Sequence, residues 1–145
     1  MIHAIKAFFP AVLLAYLLAS VLVTQANLAA IQSLGLDVSI GIRMRTTLQD
    51  FIGMATSYLI LITVGLALAF PIAAGLARLF PRRRAFLFTL AGFVAIVALH
   101  LIMKEVLGLS PVAPTRSALG LLSQGLAGAV GGYFFHLLSR RRVNP

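Results

Sequence analysis

The chain has 145 residues, 61% of them hydrophobic and only 10% charged, with a net charge of +9 and no cysteine. A soluble domain carries about a quarter of its residues charged, so this composition excludes one, and the lack of cysteine excludes disulfides, thiolate catalysis and cysteine-ligated metals. The positive charge sits in short runs directly against apolar stretches, which is the pattern of membrane threading and not of a nucleic-acid footprint.

Crossing a bilayer core takes about 20 apolar residues as a helix. Four uncharged stretches qualify: Ala7 to Leu36, Phe51 to Ala77, Ala85 to Met103 and Ser117 to Ser139. They predict an all-α polytopic membrane protein, a four-transmembrane-helix bundle filling one domain over 1–145, with spans near 5–30, 51–79, 85–105 and 117–138.

The first helix is expected to start near Ile5, to tolerate Pro10 in its opening turns and to stop before Gly35. Lys6, the apolar run and Thr24-Gln25-Ala26 loosely imitate a cleaved leader. The length of the run, and its interruption by Pro10 and Tyr16, favour a retained span. Tyr16, Ser20, Thr24 and Asn27 recur at helical spacing and so share one stripe. Beyond it, Val38, Ile40, Ile42 and Met44 alternate with Ser39, Gly41, Arg43 and Arg45. Such alternation predicts a short extended segment; a helix lying on the membrane surface is the alternative, because a lone strand has no evident partner. Thr46 with Gln49, or Thr47 with Asp50, offers a capping box for the second span.

The second span is longer than a bilayer requires and is expected to tilt or bend, with Pro71 the natural bend point. Phe80-Pro81 closes it, and Arg82, Arg83 and Arg84 turn the chain into the third span, where His100 and Lys104 share a face. Gly108, Pro111 and Pro114 mark an ordered turn. In the last span, Gly120, Ser123, Ala127 and Gly131 form one small-residue face and Gly125, Gly128 and Gly132 another. Small residues four apart let backbones approach closely, so these faces predict a helix-packing interface, either with a partner or inside the bundle. Tryptophan is absent, which leaves Phe8, Phe9, Tyr133, Phe134 and Phe135 to form the interfacial aromatic belt.

Lysine and arginine counts set the threading. With the N-terminus inside, Lys6, Arg78, Arg82, Arg83, Arg84, Arg140, Arg141 and Arg142 face the cytoplasm, eight of the twelve basic residues, and Arg43, Arg45, Lys104 and Arg116 face out. The expectation is N-in/C-in in the cell inner (cytoplasmic) membrane. The arginines of that rim also offer a surface to anionic lipid headgroups. Lys6-Ala7-Phe8 resembles Arg84-Ala85-Phe86, Leu34-Gly35-Leu36 resembles Leu107-Gly108-Leu109, and Arg45-Thr46 resembles Arg116-Ser117. These ordered matches raise the further expectation of two parallel-repeat helical hairpins.

Under this threading Tyr16, Ser20, Thr24, Asn27, Thr56, Tyr58, His100, Lys104 and Gln124 reach a similar depth in the outer half. They predict either an outward-facing polar cavity or interhelical hydrogen bonds. His3, His100 and His136 stand in no ligand-spaced motif, so no metal, haem or other cofactor is expected. The acids Asp37, Asp50 and Glu105 supply no paired general acid and base, and the first span holds no carboxylate. The expected function is that of a small non-enzymatic protein acting by helix–helix association. It would serve as an accessory or assembly subunit, or as a self-assembling bundle, with a second copy or another membrane protein as partner. A small oligomeric transporter or channel is the alternative.

Overall fold

The computed structural model describes residues 2–108 and 113–140, and among them every regular element is helical. In chain order these are α1 (Ile2–Ser33), α2 (Ile40–Gly53), α3 (Tyr58–Leu79), α4 (Arg84–Leu107) and α5 (Ala118–Ser139), with short 3-10 turns at Pro81–Arg83 and Ala113–Arg116. Helices α1, α3, α4 and α5 are long and apolar enough to cross a membrane.

These four close into an up-and-down ring, with α5 against α1 and α4, and α3 against α4 and α1. Gly131 of α5 abuts Ala11 and Ala15 of α1, while Gly132 abuts Phe88 and Gly128 abuts Gly92 of α4. One end of the bundle therefore carries the start of α1 and α4 and the finish of α3 and α5. Lys6, Arg78, Arg82, Arg83, Arg84 and Arg140 gather at this arginine end; Arg141 and Arg142 lie outside the described residues, as does Pro111. The opposite end carries α2.

Local chemistry explains the helix boundaries. Gly35 after α1 and Gly108 after α4 have φ of 83° and 65°, a left-handed conformation that glycine adopts without a Cβ penalty. The Ser117 hydroxyl accepts the Gly120 N–H at 3.0 Å and caps α5, satisfying one of the free donors at a helix start. Helix α1 continues through Pro10, and α3 through Pro71.

The segment after α1 departs from the expected strand. Helix starts at Ile40, with Ser39 Oγ accepting the Ile42 N–H at 3.3 Å. Thr46, Thr47, Gln49 and Asp50 therefore sit inside α2 and cap nothing. Residues 54–57 form a turn, and the second span begins at Tyr58 instead of residue 51. The physical reason is a longer period than the eight-residue window showed. Ile40, Met44, Leu48 and Ile52 step by four and stay 61–77% exposed. The polar face of α2 docks on α1 and the apolar face points away from the protein, as in helices that lie in a bilayer interface.

A second correction concerns Phe135, which joins the core and not an interfacial belt. It is 6% exposed, stacks on Phe70 with ring centres 4.5 Å apart and leans on Phe88 at 5.0 Å. It follows Gly128 and Gly131 around α5 at helical spacing and so turns inward with them.

Candidate functional site

Three polar residues of the spans meet in the bundle interior, toward the α2 end. Tyr58 of α3, His100 of α4 and Gln124 of α5 are all nearly or wholly buried. The Tyr58 hydroxyl donates to Gln124 Oε1 at 2.8 Å and lies 3.2 Å from His100 Nε2. Gln124 Nε2 donates to the Ala19 carbonyl of α1 at 3.3 Å. One row of hydrogen bonds thus ties α4, α3, α5 and α1 together.

Proton counting adds a constraint. His100 Nδ1 lies 2.8 Å from the Ile96 carbonyl, which only accepts, so Nδ1 carries a hydrogen. In a neutral ring Nε2 is then an acceptor. The single phenolic hydrogen of Tyr58 therefore faces two acceptors, and the shorter bond goes to Gln124. A proton on Nε2 would convert the row into a one-way relay from His100 through Tyr58 and Gln124 to the Ala19 carbonyl.

The polar stripe of α1 serves another purpose. Tyr16 donates to the Phe51 carbonyl at the end of α2. The single Thr24 hydroxyl hydrogen is shared between Asp50 Oδ2 at 2.8 Å and the Ser20 carbonyl at 3.1 Å. Gln25 donates to Thr47 at 3.2 Å, and Arg43 donates to Gln25 and Gln32 at 2.7 and 2.6 Å. This set clamps α2 to α1. Ser20 Oγ is fully buried and has no hydrogen-bond partner among the described residues.

Three expected members stand apart. Thr56 lies exposed in the turn before α3, and Lys104 is exposed near the end of α4. Asn27 is half-buried and lines a separate cleft of about 700 Å³ between α1 and α5, with Gln25, Arg116, Gly120 and Ser123. No described opening is lined by Tyr58, His100 or Gln124.

The small residues of α5 are covered within the chain itself. A Cβ on Gly128 or Gly132 would collide with the backbone carbonyl of Gly92 or Phe88, and one on Gly125 would come within 2.6 Å of Phe93. A Cβ on Gly131 would come within 2.7 Å of Ala15. Gly120 and Ser123 sit half-buried nearer the α5 start, and Ala127 is buried. One glycine face thus seats α4 and the other seats α1. Another series of small residues, half-buried except for buried Ala73, meets along the seam between α3 and α4. Gly65, Ala69 and Ala73 of α3, with Ala91, Ala95 and Ala98 of α4, line an apolar groove of about 560 Å³.

Sequence reasoning missed Gly92, Arg43, Gln32 and Asp50 as packing residues. Gly92 carried a usable signal, being a glycine in mid-span where propensity argues against it. Arg43 and Asp50 carried none, because their role depends on how α2 folds back. No family model matches the chain, and no curated protein or solved structure is significantly similar to it.

Proposed function

We propose that this is a small multi-pass inner-membrane protein, with both termini in the cytoplasm, that works without catalysis by associating with another transmembrane helix. That helix belongs to a second copy or to a partner membrane protein. The single observation behind this reading is the groove between α3 and α4. It repeats the chemistry that seats α5, small residues stepping by four, and among the described residues it stays open on its outer side. Membrane helices associate through such close contact because lipid supplies no hydrophobic drive between them. We therefore propose α3 and α4 as the surface for association, with the α5 glycines packed inside the bundle.

The test is oligomeric state in mild detergent, read by light scattering and native mass spectrometry. Wild type should run as a complex. Gly65→Leu with Ala95→Leu, which fills the groove, should run as a folded monomer. A wild-type protein that is monomeric and brings down no membrane partner would refute the reading.

A second reading, a small transporter, is favoured by one observation: His100 Nε2 competes for a shared hydrogen in the bundle interior. Proton-driven flux in liposomes that disappears in His100→Gln would support it over association.

A further inference from the structure

Two openings at the arginine end share Ala74 in their walls and differ in chemistry. The first, between α3 and α4, is lined by Ala74, Ala77, Arg78, Arg84 and Phe88. The second runs between α1 and α3 and is almost entirely apolar, with Ile5, Phe9, Phe70 and Pro71 along it. Each holds about 320 Å³. We infer that together they form a binding site for one anionic phospholipid, with its phosphate between Arg78 and Arg84 and an acyl chain along the groove against Phe9 and Pro71. This inference is independent of the association reading.

Charge balance is the first argument. Asp37, Asp50 and Glu105 are the chain's acids, and all three lie toward the opposite end of the bundle. Arg78, Arg84 and Arg140 pair with no carboxylate among the described residues. The charge of Arg140 bears on Arg84, and both bear on His136. His136 is only 6% exposed, and its Nδ1 has no hydrogen-bond partner among the described residues. Among the described residues this positive charge has no anionic partner, which suits an anion supplied from outside the chain.

Preorganisation is the second. Arg84 Nη2 donates to Ser139 Oγ at 2.7 Å, and its guanidinium carbon stands 5.0 Å over the Phe88 ring. The fork is thereby held in place, and most of its five N–H donors remain for a ligand. Planar guanidinium groups suit phosphate oxygens. Continuity with an apolar groove selects a phospholipid over free phosphate. Phe9 is 65% exposed along that groove, on the surface that faces the acyl region.

The purified protein, washed free of loose lipid in mild detergent, would be titrated with phosphatidylglycerol, phosphatidylcholine and inorganic phosphate, with occupancy read by native mass spectrometry. One phosphatidylglycerol should be retained per chain. Arg78→Gln should weaken it about fivefold, and Arg78→Gln with Arg84→Gln about twenty-five-fold, from the value of one basic residue near a membrane. Arg82→Gln with Arg83→Gln removes the same charge just outside the site and should change binding less than twofold. Ala67→Phe, which plugs the apolar groove alone, should weaken phosphatidylglycerol and leave phosphate unaffected. Equal losses from the two double variants would reduce the site to diffuse rim charge and overturn it. So would phosphatidylcholine or inorganic phosphate binding as tightly as phosphatidylglycerol. Arg78 is exposed, so Arg78→Gln keeps the test decisive if the Arg84 variant does not fold.

Discussion

Tyr58 is the residue on which the polar core turns, because its one hydroxyl lies within reach of both Gln124 and His100. Hydrogen bonds between membrane helices contribute about 0.6 kcal/mol each on average. Tyr58→Phe should therefore lower stability by about 1 kcal/mol in detergent unfolding, while the ring keeps its packing against Tyr16 and His100. Combined with Gln124→Leu, the loss should be smaller than the sum of the two single changes, because both remove the same bond. Strict additivity would show that the row carries no coupling. The individual polar residues were visible in the sequence, but their partners were not. Tyr16, Ser20 and Thr24 share a stripe by spacing alone, yet Tyr16 and Thr24 reach back to α2, and Ser20 Oγ is buried with no hydrogen-bond partner among the described residues.

Among the elements, α5 and α2 show opposite uses of side-chain size. In α5 the glycines let two neighbours approach to backbone contact. Gly128→Leu should abolish the folded monomer and not merely dissociate a complex, since the side chain would have to displace the Gly92 backbone. Overpacking of this kind typically costs 1–3 kcal/mol or more. Thermal unfolding by circular dichroism, with exposed Leu119→Ala as a neutral control, checks this outcome. Helix α2 is held instead by polar bonds beneath an outward apolar stripe. Arg43→Ala removes two of its contacts to α1. Hydrogen exchange should then accelerate across Ile40–Gly53 and stay unchanged in α5. The strand expectation failed here because eight alternating residues fit both periods, and only the continuation through Leu48 and Ile52 distinguishes them.

For the molecule as a whole, the charge distribution is the dominant asymmetry, with every acid toward one end and the dense arginines at the other. We expect the arginine end to be cytoplasmic. Reporter fusions should accordingly report Arg83 inside and Ser39 outside, and the reverse result would undo the proposed threading.

Hydrophobic length and charge placement are properties of the chain itself, so the sequence alone determined the four spans and the arginine end. Apolar residues must be lipid-facing or packed in any arrangement, and hydropathy registers both without telling them apart. Only the tertiary structure decided which small residues are already occupied, that α2 folds back on α1, and that Tyr58, His100 and Gln124 share one row. Those outcomes depend on the rotation of each helix about its axis, which is set by close contacts such as Gly92 against Gly128 that no single segment encodes.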